Sequence, residues 1–149
     1  MPTRRHQTLE TNASDLMQAV GILVRRVRSQ GSPEGLSWSQ AAAMGRLERV
    51  GPMTTADLAR AEMVKPQSMG TLLAELEADG LVQRQPHPTD GRQILFSLTE
   101  AGTDARRRRH AAKLAWLCAA IGRFDADQQR TLVDAIGLIN QLGESSASP

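Results

Sequence analysis

Lys65-Pro66-Gln67-Ser68, followed by Thr71, sets a cation, an amide and two hydroxyls close together on a short stretch of chain. An amide can pair with adenine N6 and N7 at once, and hydroxyls reach base edges or phosphates, so the chemistry on offer is contact with nucleic acid rather than bond breaking. Further along, Arg84 and Arg92 bracket Pro86-His87-Pro88-Thr89-Asp90-Gly91 and supply cations suited to phosphates or a groove. Catalytic groups are not assembled. His6, His87 and His110 fall in a terminal segment, a loop and a helix, with no nucleophile or base signature beside them. No G-x-S-x-G, P-loop, H-E-x-x-H or G-x-G-x-x-G pattern occurs. The chain is expected not to be an enzyme, and no cofactor or metal site can be assembled from it.

The elements that must position these residues are legible around them. Thr54 is a good helix N-cap, with Asp57 three residues on, and a short helix through Glu62 buries Leu58 and Ala59. After the turn Met63-Val64-Lys65, Pro66 takes the first position of a second helix, where its missing N–H and fixed φ cost nothing. Met69, Leu72, Leu73 and Leu76 make one apolar stripe on that helix, which leaves Gln67, Ser68 and Thr71 outside. Gly80 ends it as the residue after the cap. Beyond Gly80 the period shortens: Leu81 to Arg84 and Gln93 to Leu98 read as strands around a tip rich in Pro and Asp-Gly. Helix, turn, helix and hairpin in this order make a winged helix-turn-helix.

Composition limits the alternatives. At 149 residues the chain is a single domain's length. Aromatics are only 3% and Tyr is absent, so the core must be aliphatic, which suits helices. There is no apolar run long enough for a membrane span, and the N-terminus lacks the apolar stretch of a signal peptide, so a cytoplasmic location without membrane contact is expected. The net charge is only +2, but arginines cluster at Arg4-Arg5, Arg25 to Arg28, Arg84 to Arg92 and Arg106 to Arg109. The last run cannot share one helical face, since successive residues step by about 100°. One or two of its arginines are expected to meet acids or carbonyls and the others to face water.

Amphipathic helices flank the winged unit. Ala13, Leu16, Met17, Val20, Leu23, Val24 and Val27 form a wide apolar face between Leu9 and Ser29, and the Gly/Pro-containing segment 30–35 breaks that helix. Ser37 and Gln40 form a capping box that opens a helix to about Val50, burying Ala41, Met44 and Leu47. Thr99 caps a long helix whose Leu114, Leu117, Cys118 and Ile121 make a stripe ending at Gly122. Asp125 and Gln128 cap a last helix with Leu132, Val133, Ile136, Ile139 and Leu142 on one face. The lobe has its own small core, so these extra helices are most economically explained by a homodimer in which they intertwine. Arg4, Arg5 and His6 read as a frayed end rather than a DNA-binding arm.

The segment from Leu36 to Gly102 resembles the MarR family of bacterial transcription regulators. The likeness is carried by Gln40, by GPMTTADLARAEMVKPQSM, by LEADGLVQRQPHPTDGR and by LTEAG, with Asp90-x-Arg92 and Leu98-Thr99-x-x-Gly102 the most specific pieces. Gln93 departs from the small residue frequent there. The resemblance implies a mainly α fold with a small β-hairpin wing and flanking dimerisation helices. Its parts would be a DNA-binding lobe at about 36–98, dimerisation helices at about 9–30 and 99–142, and a disordered tail at 143–149. The expected function is a ligand-responsive repressor that binds double-stranded DNA at a pseudo-palindromic operator. In this reading Thr54, Pro66, Gln67, Ser68 and Thr71 belong to the DNA face, with Gln67 as the base reader, and Lys65 and Arg84 hold phosphates. Arg92 enters the minor groove with Asp90 fixing its guanidinium, and His87 and Thr89 touch the backbone at the tip. A small aromatic or amphipathic effector would sit between lobes near Val20, Val24, Trp38, Met44 and Trp116, although Trp38 also reads as a plain core aromatic.

Two other classes stay open. A winged helix used only for protein interaction would show an acidic or apolar recognition face, and Gln67, Ser68 and Thr71 beside Lys65 and Arg92 argue against it. Thiol-redox sensing would run through Cys118, but its place on an apolar stripe points to a buried, inert thiol.

Overall fold

A computed structural model describes residues 8–31 and 35–145. The segment Ser32 to Glu34 within the expected helix break, the arm with Arg4, Arg5 and His6, and 146–149 lie outside the described residues. The order is α1 (Leu9–Ser29), α2 (Trp38–Val50), β1 (Met53–Thr54), α3 (Thr55–Ala61), α4 (Pro66–Ala78), β2 (Val82–Pro86), β3 (Ile94–Leu98), α5 (Glu100–Ile121) and α6 (Ala126–Glu144). It is a mostly helical chain with one small antiparallel sheet.

Local chemistry accounts for the boundaries. The Ser37 hydroxyl accepts from the Gln40 amide at 3.1 Å, while the Gln40 side chain accepts from the Ser37 amide at 2.9 Å. Asp125 and Gln128 make the same reciprocal pair at 2.8 and 3.1 Å. Each box satisfies two of the amides that a helix start leaves open. Pro66 stands at the first turn of α4 behind Lys65, and Gly80, at φ +72°, follows the cap Asp79. The last helix continues through Gly143 to Glu144, within the stretch expected from 143 to be a disordered tail.

The wing contains one strand that the sequence does not announce. Met53–Thr54 pairs with β3, which lies between β1 and β2, in register Met53 with Phe96 and Val82 with Leu98. Behind this sheet a closed core gathers Met44 and Leu47 from α2, Leu58 from α3, Met69, Leu73 and Leu76 from α4, then Val82, Phe96 and Ala105. Thr99 stitches the recognition unit to α5: its hydroxyl donates to the Gly80 carbonyl at 2.6 Å and accepts from the Gly102 amide at 3.0 Å. Gly102 is required there, because a Cβ would lie 2.0 Å from the Leu81 carbonyl oxygen.

The outer helices pack differently. No residue of α1 or α6 is buried within the chain. Leu16, Met17, Ile22 and Leu23 on α1, with Val133, Ile136, Leu138 and Leu142 on α6, are left exposed.

Candidate nucleic-acid interface

α4 presents its N-terminal half outward. Lys65, Pro66, Gln67, Ser68 and Thr71 are all exposed, whereas Met69, Leu73 and Leu76 hold the opposite side in the core. The first turn of α4 carries no acid, so the positive end of its dipole and Lys65 act together on any approaching phosphate. The acids are at the far end. Glu75 accepts from Gln40 at 3.1 Å, and Glu77 is engaged by Arg84. Thr71 donates its hydroxyl to the Gln67 carbonyl at 3.2 Å, one turn back along the helix. Ser68 also borders a groove of about 380 Å³ between α2 and α4, walled by Trp38, Glu62, Val64 and Leu72.

The wing tip is organised by side chain-to-backbone bonds. His87 Nδ1 accepts from the amides of Thr89 and Asp90 at 3.2 and 3.1 Å. Asp90 Oδ1 accepts from the Arg92 backbone amide at 3.0 Å. That corrects the expected Asp90–guanidinium bond: the carboxylate shapes the turn, and among the described residues the Arg92 guanidinium has no ion-pair partner. Arg92 instead borders a cleft of about 550 Å³ with Thr54, Thr55, Arg60 and Ile94, between the start of α3 and the wing. Within that cleft the Thr54 hydroxyl accepts from the Asp57 amide at 3.1 Å, serving as the α3 cap.

Arg84, expected to hold a phosphate, is engaged within the lobe in the DNA-free chain. Its Nε lies 2.9 and 3.1 Å from the two Glu77 carboxylate oxygens, and its guanidinium stands 5.3 Å over the Phe96 ring. The pair ties β2 to the last turn of α4. Sequence reading missed this link, because Glu77 and Arg84 are brought together only by the reversal at Gly80.

The expected pocket residues are scattered. Met44 is fully enclosed in the lobe core, where the aliphatic stripe of α2 puts it, and lines none of the clefts beside Trp38. Val20, Val24 and Trp116 do not line the cavities beside Trp38. Trp38 is not a core aromatic: it is 54% exposed, with the Arg28 guanidinium 3.8 Å from its ring centroid. Cys118, expected in an apolar interior, is exposed in the single chain because its side of α5 is left uncovered.

The run Arg106 to Arg109 divides as helical geometry requires. Arg106 donates to Glu48 at 2.7 Å and to the Ala41 carbonyl at 3.3 Å, and Arg107 pairs with Asp104 at 3.2 Å. Arg109 turns inward and is only 7% exposed. Burial first, then the neighbouring Arg106, lowers its affinity for a proton below the ordinary arginine range. The sequence signalled that the run could not share a face, but not which member would be enclosed.

The comparisons agree with this arrangement. Residues 34–93 match the family model described as MarR family. An uncharacterised HTH-type transcriptional regulator of Mycobacterium leprae is 37% identical, over 90% of this chain and 94% of that protein. An HTH-type transcriptional repressor of Mycobacterium bovis is 33% identical over 77% of this chain and 84% of its own length. Among solved structures, a MepR variant from S. aureus bound to an oligodeoxyribonucleotide shares the fold with a TM-score of 0.70 at 16% identity, covering 87% of this chain and 97% of that one. With its recognition helix, wing and relatives taken together, the chain belongs to the MarR family and is a DNA-binding transcription regulator.

Proposed function

We propose that this regulator binds a pseudo-palindromic operator as a homodimer and leaves it when a small molecule binds. The observation that carries the DNA-reading part is the exposed polar start of α4 behind Lys65, together with a wing-tip Arg92 that has no ion pair among the described residues. Gln67 reads a base in the major groove, Ser68 and Thr71 support it, and Lys65 holds phosphate. Arg92 lies in the neighbouring minor groove, where groove width and potential matter more than base identity. His87 and Thr89 approach the backbone from the tip they shape.

Dimerisation is supported by the uncovered faces of α1 and α6. Contiguous apolar surface of this kind marks an interaction site, and helices with nothing buried gain stability only from a partner. A two-fold dimer sets its recognition helices about 34 Å apart, one turn of DNA, which matches a palindromic site. The effector reading rests on the groove between α2 and α4. A small aromatic or amphipathic molecule wedged against Trp38, Val64 and Leu72 would press on Ser68 and shift α4 relative to the wing. Selection of preferred DNA from a random duplex pool, followed by light scattering of the complex, tests the reading. Two chains per palindromic duplex are expected, and a single chain bound without sequence preference would overturn it.

A further inference from the structure

His87 stands between Pro86 and Pro88, so the backbone on either side of it is restricted. Its amide donates to the Gln93 carbonyl at 3.3 Å, and the Gln93 amide donates to the Asp90 carbonyl at 3.1 Å, which closes the turn 90–93. Inside that frame the His87 Nδ1 accepts from two backbone amides, Thr89 at 3.2 Å and Asp90 at 3.1 Å. Asp90 passes the constraint on, since its Oδ1 accepts from the Arg92 amide at 3.0 Å. A backbone amide always carries its hydrogen, so a ring nitrogen that accepts from two of them carries none itself. The ring is therefore neutral with its proton on Nε2, and that nitrogen engages no described residue.

We infer that His87 is the positioning residue of the wing: only as a neutral ring does it hold the Asp90–Arg92 turn, so acid loosens the grip of Arg92 on DNA. The inference rests on the placement of Arg92 in the minor groove proposed above. A histidine that merely touches phosphate has the opposite sign, because it gains a charge on protonation and binds more tightly. Here the added proton falls on Nδ1, at which two N–H groups already point, and a donor facing donors loses both bonds. The Thr89 hydroxyl, 3.4 Å from Nδ1, can turn a lone pair toward that proton, but the two backbone amides cannot turn without reshaping the tip. The charged groups around the tip do not reverse the sign. Asp90 is the carboxylate nearest in sequence, and swinging it to an imidazolium takes it off the Arg92 amide. Arg92 itself repels a charged ring. Arg84 on β2 is held by Glu77, and β3 carries no charged residue. On α3, across the cleft that Arg92 borders, Asp57 is held by Arg60 at 2.9 Å.

NMR of the full chain without DNA tests the relay, and operator titrations at constant ionic strength test its consequence. At the alkaline end the His87 ring nitrogens should show a protonated Nε2 and a bare Nδ1. Between about pH 8 and about pH 5.5, a span that covers ordinary imidazole titration and stays above that of carboxylates, the Thr89, Asp90 and Arg92 amide signals should shift together with the ring. In the DNA arm each protein is read as the ratio of its operator affinities at the two ends, so that His6 and His110, present in all, cancel. His87→Asn keeps an acceptor oxygen that reaches the same amides and does not titrate. The wild type should lose about tenfold more affinity in acid than His87→Asn, since one unit below an imidazole midpoint leaves about a tenth of it neutral. His87→Leu, without an acceptor, should bind more weakly than His87→Asn at both ends. Thermal melts confirm that each variant folds, and His87→Asn alone decides the sign. A neutral ring protonated on Nδ1, or Asp90 and Arg92 amides that ignore the ring, would overturn the relay. So would a wild type that gains affinity in acid relative to His87→Asn, the mark of a direct phosphate contact. If the amides follow the ring but Arg92→Ala binds operator as the wild type does, the wing reading fails and the DNA consequence with it. If Arg92→Ala binds weakly while wild type and His87→Asn share one pH ratio, the inference alone is overturned.

Discussion

Arg84 Nε lies 2.9 Å from Glu77 Oε2, so the first strand of the wing is tied to the last turn of the recognition helix. The two elements proposed to meet DNA are therefore joined by a side-chain link as well as by the chain. A guanidinium held by a carboxylate and stacked over Phe96 is a poor phosphate ligand, because binding would first have to break that pair. Glu77→Ala and Arg84→Ala should then weaken operator binding by similar, few-fold amounts, and the double variant should cost little more than either single one. A partly exposed pair is worth about 0–1 kcal/mol, so stability should move little. An Arg84→Ala loss much larger than that of Glu77→Ala, with a smaller salt slope, would restore Arg84 to the phosphate backbone.

Met63 occupies the turn between α3 and α4 at φ +57° and is 91% exposed. A side chain in that conformation costs about 1–2 kcal/mol, and glycine gives back about 0.5–1 kcal/mol through its unfolded-state entropy. Met63→Gly is thus expected to stabilise the chain by about 0.5–1 kcal/mol in chemical denaturation. Gly102→Ala should do the reverse, by about 3 kcal/mol, since its Cβ would enter the Leu81 carbonyl.

Lys113 gives the alkaline pH dependence a definite sign. Its folded pKa is lowered from 10.5, so the folded chain releases this proton at lower pH than the unfolded chain. The charged amine therefore opposes folding below its folded pKa, and that penalty is relieved as pH rises toward 10.5. The only other lysine is Lys65, and there is no tyrosine, so the window is nearly clean. Denaturation midpoints should rise relative to Lys113→Met as pH increases through that window. A difference between the two proteins that does not vary with pH would contradict the assignment.

Truncation after Arg130 removes most of the apolar face of α6, including Val133, Ile136, Leu138 and Leu142. Under the dimer reading, sedimentation should show loss of the dimer together with aggregation, because α1 loses its cover. A well-behaved monomer would contradict it.

What could be read in advance was local. The boxes at Ser37–Gln40 and Asp125–Gln128, the Thr54 and Thr99 caps and Pro66 depend on residues three or four apart, so the sequence displays them directly. The stripe of α4 likewise left Gln67 and Thr71 outside. β1 was invisible because two residues have no period, and Met53–Thr54 is a strand only through its pairing with β3. Arg109 was missed for a related reason: the packing of α5 against α1 and α2 chooses which arginine of the run is enclosed. Asp90 shows a subtler limit, since spacing put it beside Arg92 but could not distinguish a bond to the amide from one to the guanidinium.

The most direct test of how this chain meets DNA compares Gln67→Ala with Arg92→Ala, each titrated against operator and scrambled duplex at several salt concentrations. Gln67→Ala should cost about 1–3 kcal/mol per half-site on the operator, with little loss on scrambled DNA and an unchanged salt slope. Arg92→Ala should weaken both duplexes and shrink the slope of log affinity against log salt by roughly one unit per contact, about two for a dimer. If Gln67→Ala weakens both duplexes equally, or Arg92→Ala leaves the salt slope intact, the division between a reading helix and a positioning wing is wrong.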